Sequence, residues 1–163
     1  MKQIQYVSGG IDLLDRISPL WEQLNSYHKT HSIHFKGKYG NLSFQSRKEN
    51  LLKKSLQSDL HIILATDAAS NEDLGYCIAS LSVDRIGEID SLFVIASFRS
   101  YGIGKQLMEQ SLNWLTTHSP KKIIIGVSTD NHEALSFYTH FGFFPCITLL
   151  EQPPDHAKTN TLL

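Results

Sequence analysis

The stretch from Gly87 to Leu115, GEIDSLFVIASFRSYGIGKQLMEQSLNWL, constrains this chain more than any other. It reads as a strand, a tight basic turn with two glycines, and an amphipathic helix. The turn is Arg99-Ser100-Tyr101-Gly102-Ile103-Gly104-Lys105. Its glycines carry no Cβ, so a ligand can come close to the backbone there. The helix that follows begins with unpaired N–H groups and the positive end of its dipole. Arg99 and Lys105 add formal positive charge. Together these features predict an anion site, for a phosphate or pyrophosphate.

The strand ahead of the turn breaks its own period. Ile89 is apolar, then Leu92 and Val94, so the first step is three residues where a strand needs two. A β-bulge absorbs such a step by shifting the side-chain phase. It would also splay strand Glu88–Val94 from strand Lys122–Val127. The gap would leave unpaired backbone groups for an extended ligand that carries its own amides. The plainer alternative is an ordinary strand end with Ser91 facing out.

The rest of the chain supplies a sheet and its cover. Lys2–Val7 alternates as an edge strand. From Ile11 to about His31, Leu13, Leu14, Ile17, Leu20, Trp21, Leu24 and Tyr27 recur at helical spacing, with Pro19 implying a kink or a fresh start. Ser32–Ser43 is a loop, and Ser43–Leu56 a second helix. His61–Thr66 and Leu74–Val83 form an antiparallel hairpin. The helix after the basic turn runs to about Thr117. Lys122–Val127 is apolar enough for a strand covered on both faces. Asp130–Phe141 is a short helix, with Asp130 and Glu133 spaced like a capping box and Gly142 at its C-terminal end. Phe143–Leu150 is a last strand. The expected architecture is one domain over residues 1–150, with residues 151–163 a loosely ordered tail.

Composition narrows the function classes. Hydrophobic residues are 41% and charged residues 19% of the 163, an ordinary globular balance. A formal net charge of −1 gives no basic field for nucleic acid or a membrane surface. Cys77 and Cys146 each sit in an apolar run and read as buried free thiols, with a disulfide left open. MKQIQYVSGG lacks the apolar core of a signal peptide, and no apolar run reaches the roughly 20 residues that span a bilayer. A cytoplasmic protein is expected.

Two motifs in order carry a family resemblance. Leu92-Phe93-Val94 followed by Arg99-Ser100-Tyr101-Gly102-Ile103-Gly104 is similar to the acyl-CoA signature of the GCN5-related N-acetyltransferase (GNAT) family. Asn131-His132-Glu133-Ala134-Leu135-Ser136-Phe137-Tyr138, then Gly142-Phe143, resembles that family's second motif. The resemblance covers about residues 60–150. It implies an α/β (α+β) fold, with a mixed, mostly antiparallel central sheet of about six strands, helices on both faces and splayed central strands. It also implies acetyl-CoA, with no metal, and an acetyl group moved to a primary amine in a ternary complex. Backbone groups of Leu92, Phe93 and Val94 would pair with the pantetheine amides. Arg99, Ser100 and the amides of Tyr101, Gly102, Ile103, Gly104 and Lys105 would hold the pyrophosphate. Only one clear strand follows Phe143, where many members have two.

The remaining roles follow from chemistry and the same resemblance. Asn131 and Tyr138 are seven apart, so within roughly 20° of one helix face and about 10 Å apart along it. Asn131 would touch the cofactor, or simply cap its helix. Tyr138 would protonate the departing thiolate, as the family's tyrosine does, or serve as a half-buried core aromatic. An amine acceptor must lose a proton, and Glu88 or Asp90 are the candidate bases; either would otherwise attract a cationic substrate. Phe35, Tyr39 and Phe44 are candidate walls of the acceptor pocket. The acceptor is expected to be a small-molecule or peptide amine, and an edge strand offers a route to a homodimer. A non-catalytic acyl-CoA sensor is the alternative. The P-loop, dinucleotide and zinc-protease patterns all fail on spacing. His28, His31 and His34 spiral off one helix face and make no metal site.

Overall fold

The structure is a computed structural model and describes residues 3–153. These form a five-stranded sheet in the order β1-β2-β3-β4-β5, from β1 (Ile4–Gly9), β2 (Ser58–Asp67), β3 (Asp73–Ser82), β4 (Ile86–Val94) and β5 (Lys122–Ile125). The first three pairings are antiparallel and β4–β5 is parallel. The helices are α1 (Leu14–His31), α2 (Lys36–Gly40), α3 (Phe44–Ser55), α4 (Ile103–Thr117) and α5 (His132–Thr139). This is the mixed α+β architecture that the sequence predicts.

Contacts divide the chain into two compact units. The first contains residues up to Leu24 together with Ser43–Gly126. Alternation along its strands gives two buried faces. On one face Ile62, Leu64, Tyr76, Ile78 and Phe93 pack with Leu14, Ile17, Leu20 and Trp21 of α1 and Leu51 of α3. Phe44 joins that cluster, its ring 5.9 Å from Trp21. α4 covers β2, β3 and β4 through Ile103, Leu107, Met108, Ser111 and Leu115, all buried. Each fully buried Leu or Ile contributes about 1.5–3 kcal/mol relative to exposure. α1 continues through Pro19, losing the hydrogen bond that residue would have donated.

The second unit comprises Asn25–Leu42 and the described residues from Val127 onward. The Asn25 side-chain amide donates to the Tyr39 carbonyl at 2.9 Å, and the His28 ring stacks on Tyr39 at 5.1 Å. The Ile33 N–H donates to Asp130 Oδ2 at 3.2 Å, and Lys38 pairs with Glu151 at 2.7 Å. α2 lies inside the segment read as a loop.

Three expectations are corrected. Phe143–Leu150 forms no strand, and the described sheet has five strands, close to the expected count of about six. Pro145 sits within that run and removes a ladder donor. Phe144, Ile147, Leu149 and Leu150 are 74–88% exposed. The apolar run at 122–127 is not covered on both faces, because β5 is an edge strand and Ile124 is exposed. Cys77 is buried, but Cys146 is exposed. Of the tail, 154–163 lie outside the described residues. No helix among the described residues is long and apolar enough to cross a membrane.

Candidate active site

The broken period in β4 is a β-bulge. Ser91 pairs with Ile78 and Ile89 with Ala79, so Asp90 is the extra residue. Ile89 and Leu92, opposite Ala79 and Cys77, therefore face the same side. The parallel ladder to β5 runs only from Ile86↔Lys122 to Ile89↔Ile125. Past the bulge, Leu92, Phe93 and Val94 pair with β3 alone, which leaves that edge of β4 without a strand partner among the described residues. The close approach of β3 is held by Gly75, where a Cβ would lie 2.7 Å from the Phe93 carbonyl oxygen.

A 3-10 turn at Ala96–Phe98 carries the chain from β4 into the basic turn. Ser100 and Gly102 both have left-handed backbones, φ +70° and +79°, on either side of Tyr101. Gly102 is the N-cap residue of α4, and no side chain caps that helix. The first amides of α4 are thus presented at a turn where the backbone is bare. Arg99 bends back: its Nε–H donates to the Val94 carbonyl at 3.2 Å, and its guanidinium lies 5.8 Å from the Phe93 ring centre. Arg99 therefore ties the end of β4 to the turn. Lys105 is exposed, 3.6 Å from Glu109.

Glu88 and Asp90 share the face of β4 that meets α3, and each meets the same cation. Lys54 Nζ lies 2.6 Å from Glu88 Oε2 and 2.5 Å from Asp90 Oδ1. The Asp90 side chain is 4% exposed, against 36% for Glu88. Arg47 donates to the Asp90 backbone carbonyl at 3.3 Å. Burial lowers the Lys54 pKa, but its hydrogen bonds to Asp90 and Glu88, with the charges of those acids, outweigh it and leave Lys54 above the ordinary lysine value. On the same face Tyr76 and Ser91 share a hydrogen bond of 2.8 Å, and burial pushes the Tyr76 phenol well up.

Lys54 and Arg47 were not among the residues singled out by sequence. The signal was present: Arg47, Leu51 and Lys54 follow at i, i+4 and i+7, so both cations share the face of the buried Leu51.

In the second unit, Asn131 is the N-cap of α5 and its Oδ1 accepts from the Ala134 N–H at 3.1 Å. The cap is Asn131, not Asp130, whose carboxylate accepts from Ile33 instead. Tyr138 lies on the last turn of α5, its ring edge-on to Phe137 at 5.3 Å. Gly142, at φ +80°, turns the chain so that the Phe143 N–H reaches the Tyr138 carbonyl. Phe35 and Tyr39 also belong to this unit, and Phe44 to the first unit's core.

Solved structures share this fold. One assigned as an acetyl transferase from Pyrococcus furiosus is 24% identical, covers 93% of this chain and 99% of its own, and gives a TM-score of 0.70. The aminoglycoside N-acetyltransferase AAC(6')-Iy, solved with CoA, is 18% identical over 93% of this chain and 95% of its own, with a TM-score of 0.65. An uncharacterized N-acetyltransferase of Archaeoglobus fulgidus is 39% identical over 54 residues, which is 33% of this chain and 37% of that protein. Residues 22–143, most of the chain, match the sequence profile of the acetyltransferase (GNAT) family. The chain belongs to the acetyltransferase (GNAT) family, whose domain spans residues 22–143.

Proposed function

We propose that the chain moves an acetyl group from acetyl-CoA to a primary amine by direct attack in a ternary complex, within one domain spanning 1–150. The observation that carries this is the β4–β5 ladder stopping at Ile89↔Ile125, just before the bulge at Asp90. The strand then enters a turn with two left-handed residues and an uncapped helix. An open strand edge followed by an anion turn suits a ligand with amides at one end and a pyrophosphate at the other.

Leu92, Phe93 and Val94 are assigned to the pantetheine amides. The amides of Tyr101 to Lys105 are assigned to the pyrophosphate, with Arg99 and Ser100 shaping the turn. Asn131 contributes its amide nitrogen, since its Oδ1 is committed to the cap. Glu88 or Asp90 takes the proton that the acceptor amine must lose. The uncharged amine nitrogen then bonds to the thioester carbonyl carbon, the C–S bond breaks with its electron pair on sulfur, and the surplus proton on the new amide nitrogen leaves to solvent. Tyr138 donates a proton to that thiolate; a phenol with an ordinary pKa near 10 is protonated at neutral pH. The acceptor is a small-molecule or peptide amine. Similar structures bear aminoglycoside names, which supports a small molecule.

Acetyl-CoA consumption against a mixed amine library tests this reading. Turnover with at least one amine is expected. Tyr138→Phe is expected to leave acetyl-CoA affinity nearly intact and slow the transfer. A protein that binds acetyl-CoA yet is inert across the library would be a non-catalytic sensor.

A further inference from the structure

We propose that Lys54 is a specificity-determining residue: its ammonium fills the cation position between Glu88 and Asp90, so the acceptor is an amine with no second positive charge. This rests on the reading above, in which Glu88 and Asp90 line the acceptor side.

A pair of carboxylates two residues apart on β4 would by itself draw a polycation. Here that attraction is already met. Lys54 bridges both acids at 2.6 and 2.5 Å, and Arg47 stands beside them on the same helix face, bonded to the Asp90 carbonyl. Two formal negative charges face two formal positive ones, so the cluster presents no net charge to an incoming group. A second ammonium on the acceptor would have to displace Lys54 or enter beside it. Displacement breaks two charge-assisted hydrogen bonds, and entry places like charges together.

Glu88 is the acid of the pair that an incoming group can reach, its side chain 36% exposed, whereas Asp90 is 4% exposed and its Oδ2 is sealed from solvent, like Arg47 Nε beside it. An uncharged amine is the form that attacks a thioester, and its N–H can hydrogen-bond to Glu88 without adding charge to the cluster.

The test compares wild type with Lys54→Met and Lys54→Gln. The probes are benzylamine, 1,4-diaminobutane and spermidine, with the KM for acetyl-CoA as the internal control. Wild type is expected to prefer benzylamine. Either variant is expected to lower the spermidine KM about fivefold, the effect of one half-screened charge, with the acetyl-CoA KM unchanged. Lys54→Arg is expected to keep the wild-type ranking. Unchanged amine ranking in folded variants overturns the proposal, as does loss of folding in both, which would make Lys54 a structural pin. If wild type acetylates no amine, the transferase reading fails separately. Spermidine binding, read as a thermal shift in Lys54→Gln but not in wild type, still decides whether Lys54 excludes polycations.

Discussion

The imidazole of His61 on β2 lies flat on the indole of Trp114 on α4, ring centres 4.8 Å apart and planes 9° apart. His118, one helical turn further on, tilts against that indole with ring centres 4.9 Å apart. Burial first, and the charge of His118 second, hold the His61 pKa below its ordinary value. A histidine whose pKa falls on folding binds protons less readily in the folded chain than in the unfolded one. Its contribution to stability is therefore intact above about pH 6.5 and is lost as the pH falls below that value. His28 shifts in the same direction, through burial and then His31. Melting temperature is expected to be level from pH 7.5 to 8.5 and to drop between pH 6.5 and 5. His61→Gln should flatten that drop. A variant with the same pH slope as wild type would remove His61 from the account.

The two cysteines differ in reactivity. Cys77 is fully buried among β3 and α4 residues, and burial pushes its thiol up to about 12. The reactive species is the thiolate, so Cys77 should resist alkylation in the folded protein. Cys146 is exposed. Iodoacetamide at pH 8, followed by peptide mass spectrometry, should mark Cys146 alone in the native protein and both residues in denaturant. Native labelling of Cys77 would mean that the sheet face under α4 opens readily.

These contrasts show what a linear sequence carries. The β4 bulge was legible because a strand has a fixed period of two and Ile89–Leu92 violates it. The glycines of the turn announce a bare backbone, but not its left-handed φ at Gly102, and Ser100 adopts the same region with no glycine to mark it. Gly75 shows the same limit: glycine in a strand signals a close approach, but only the β3–β4 register identifies the Phe93 carbonyl as the neighbour. Lys54 was missed because a lysine on an amphipathic helix ordinarily faces water, and its two acids lie 34 and 36 residues away. The apolar run at 143–150 reads as a strand, and Pro145 within it outweighs that reading. Local rules are written in short spacings; partners across the sheet are not.

Gly102 offers the sharpest check on the anion turn. Its φ of +79° is a conformation that alanine adopts at a cost of about 1 kcal/mol. Apart from its chain neighbours, no atom of the described residues lies within 4 Å of where a Cβ would stand, so the cost of Gly102→Ala is conformational and not steric. Melting temperature should fall by about 2–4 °C. If the turn holds a pyrophosphate through amides that Gly102 aims, acetyl-CoA affinity should fall as well. Ser100→Gly provides the opposite case. At φ +70° the serine bears the strain, and glycine relieves it, so that variant should melt no lower than wild type. Isothermal titration with CoA alongside the melts separates the two effects. A Gly102→Ala protein that melts lower but binds CoA as wild type does would show that the turn serves the fold and that the pyrophosphate is held elsewhere.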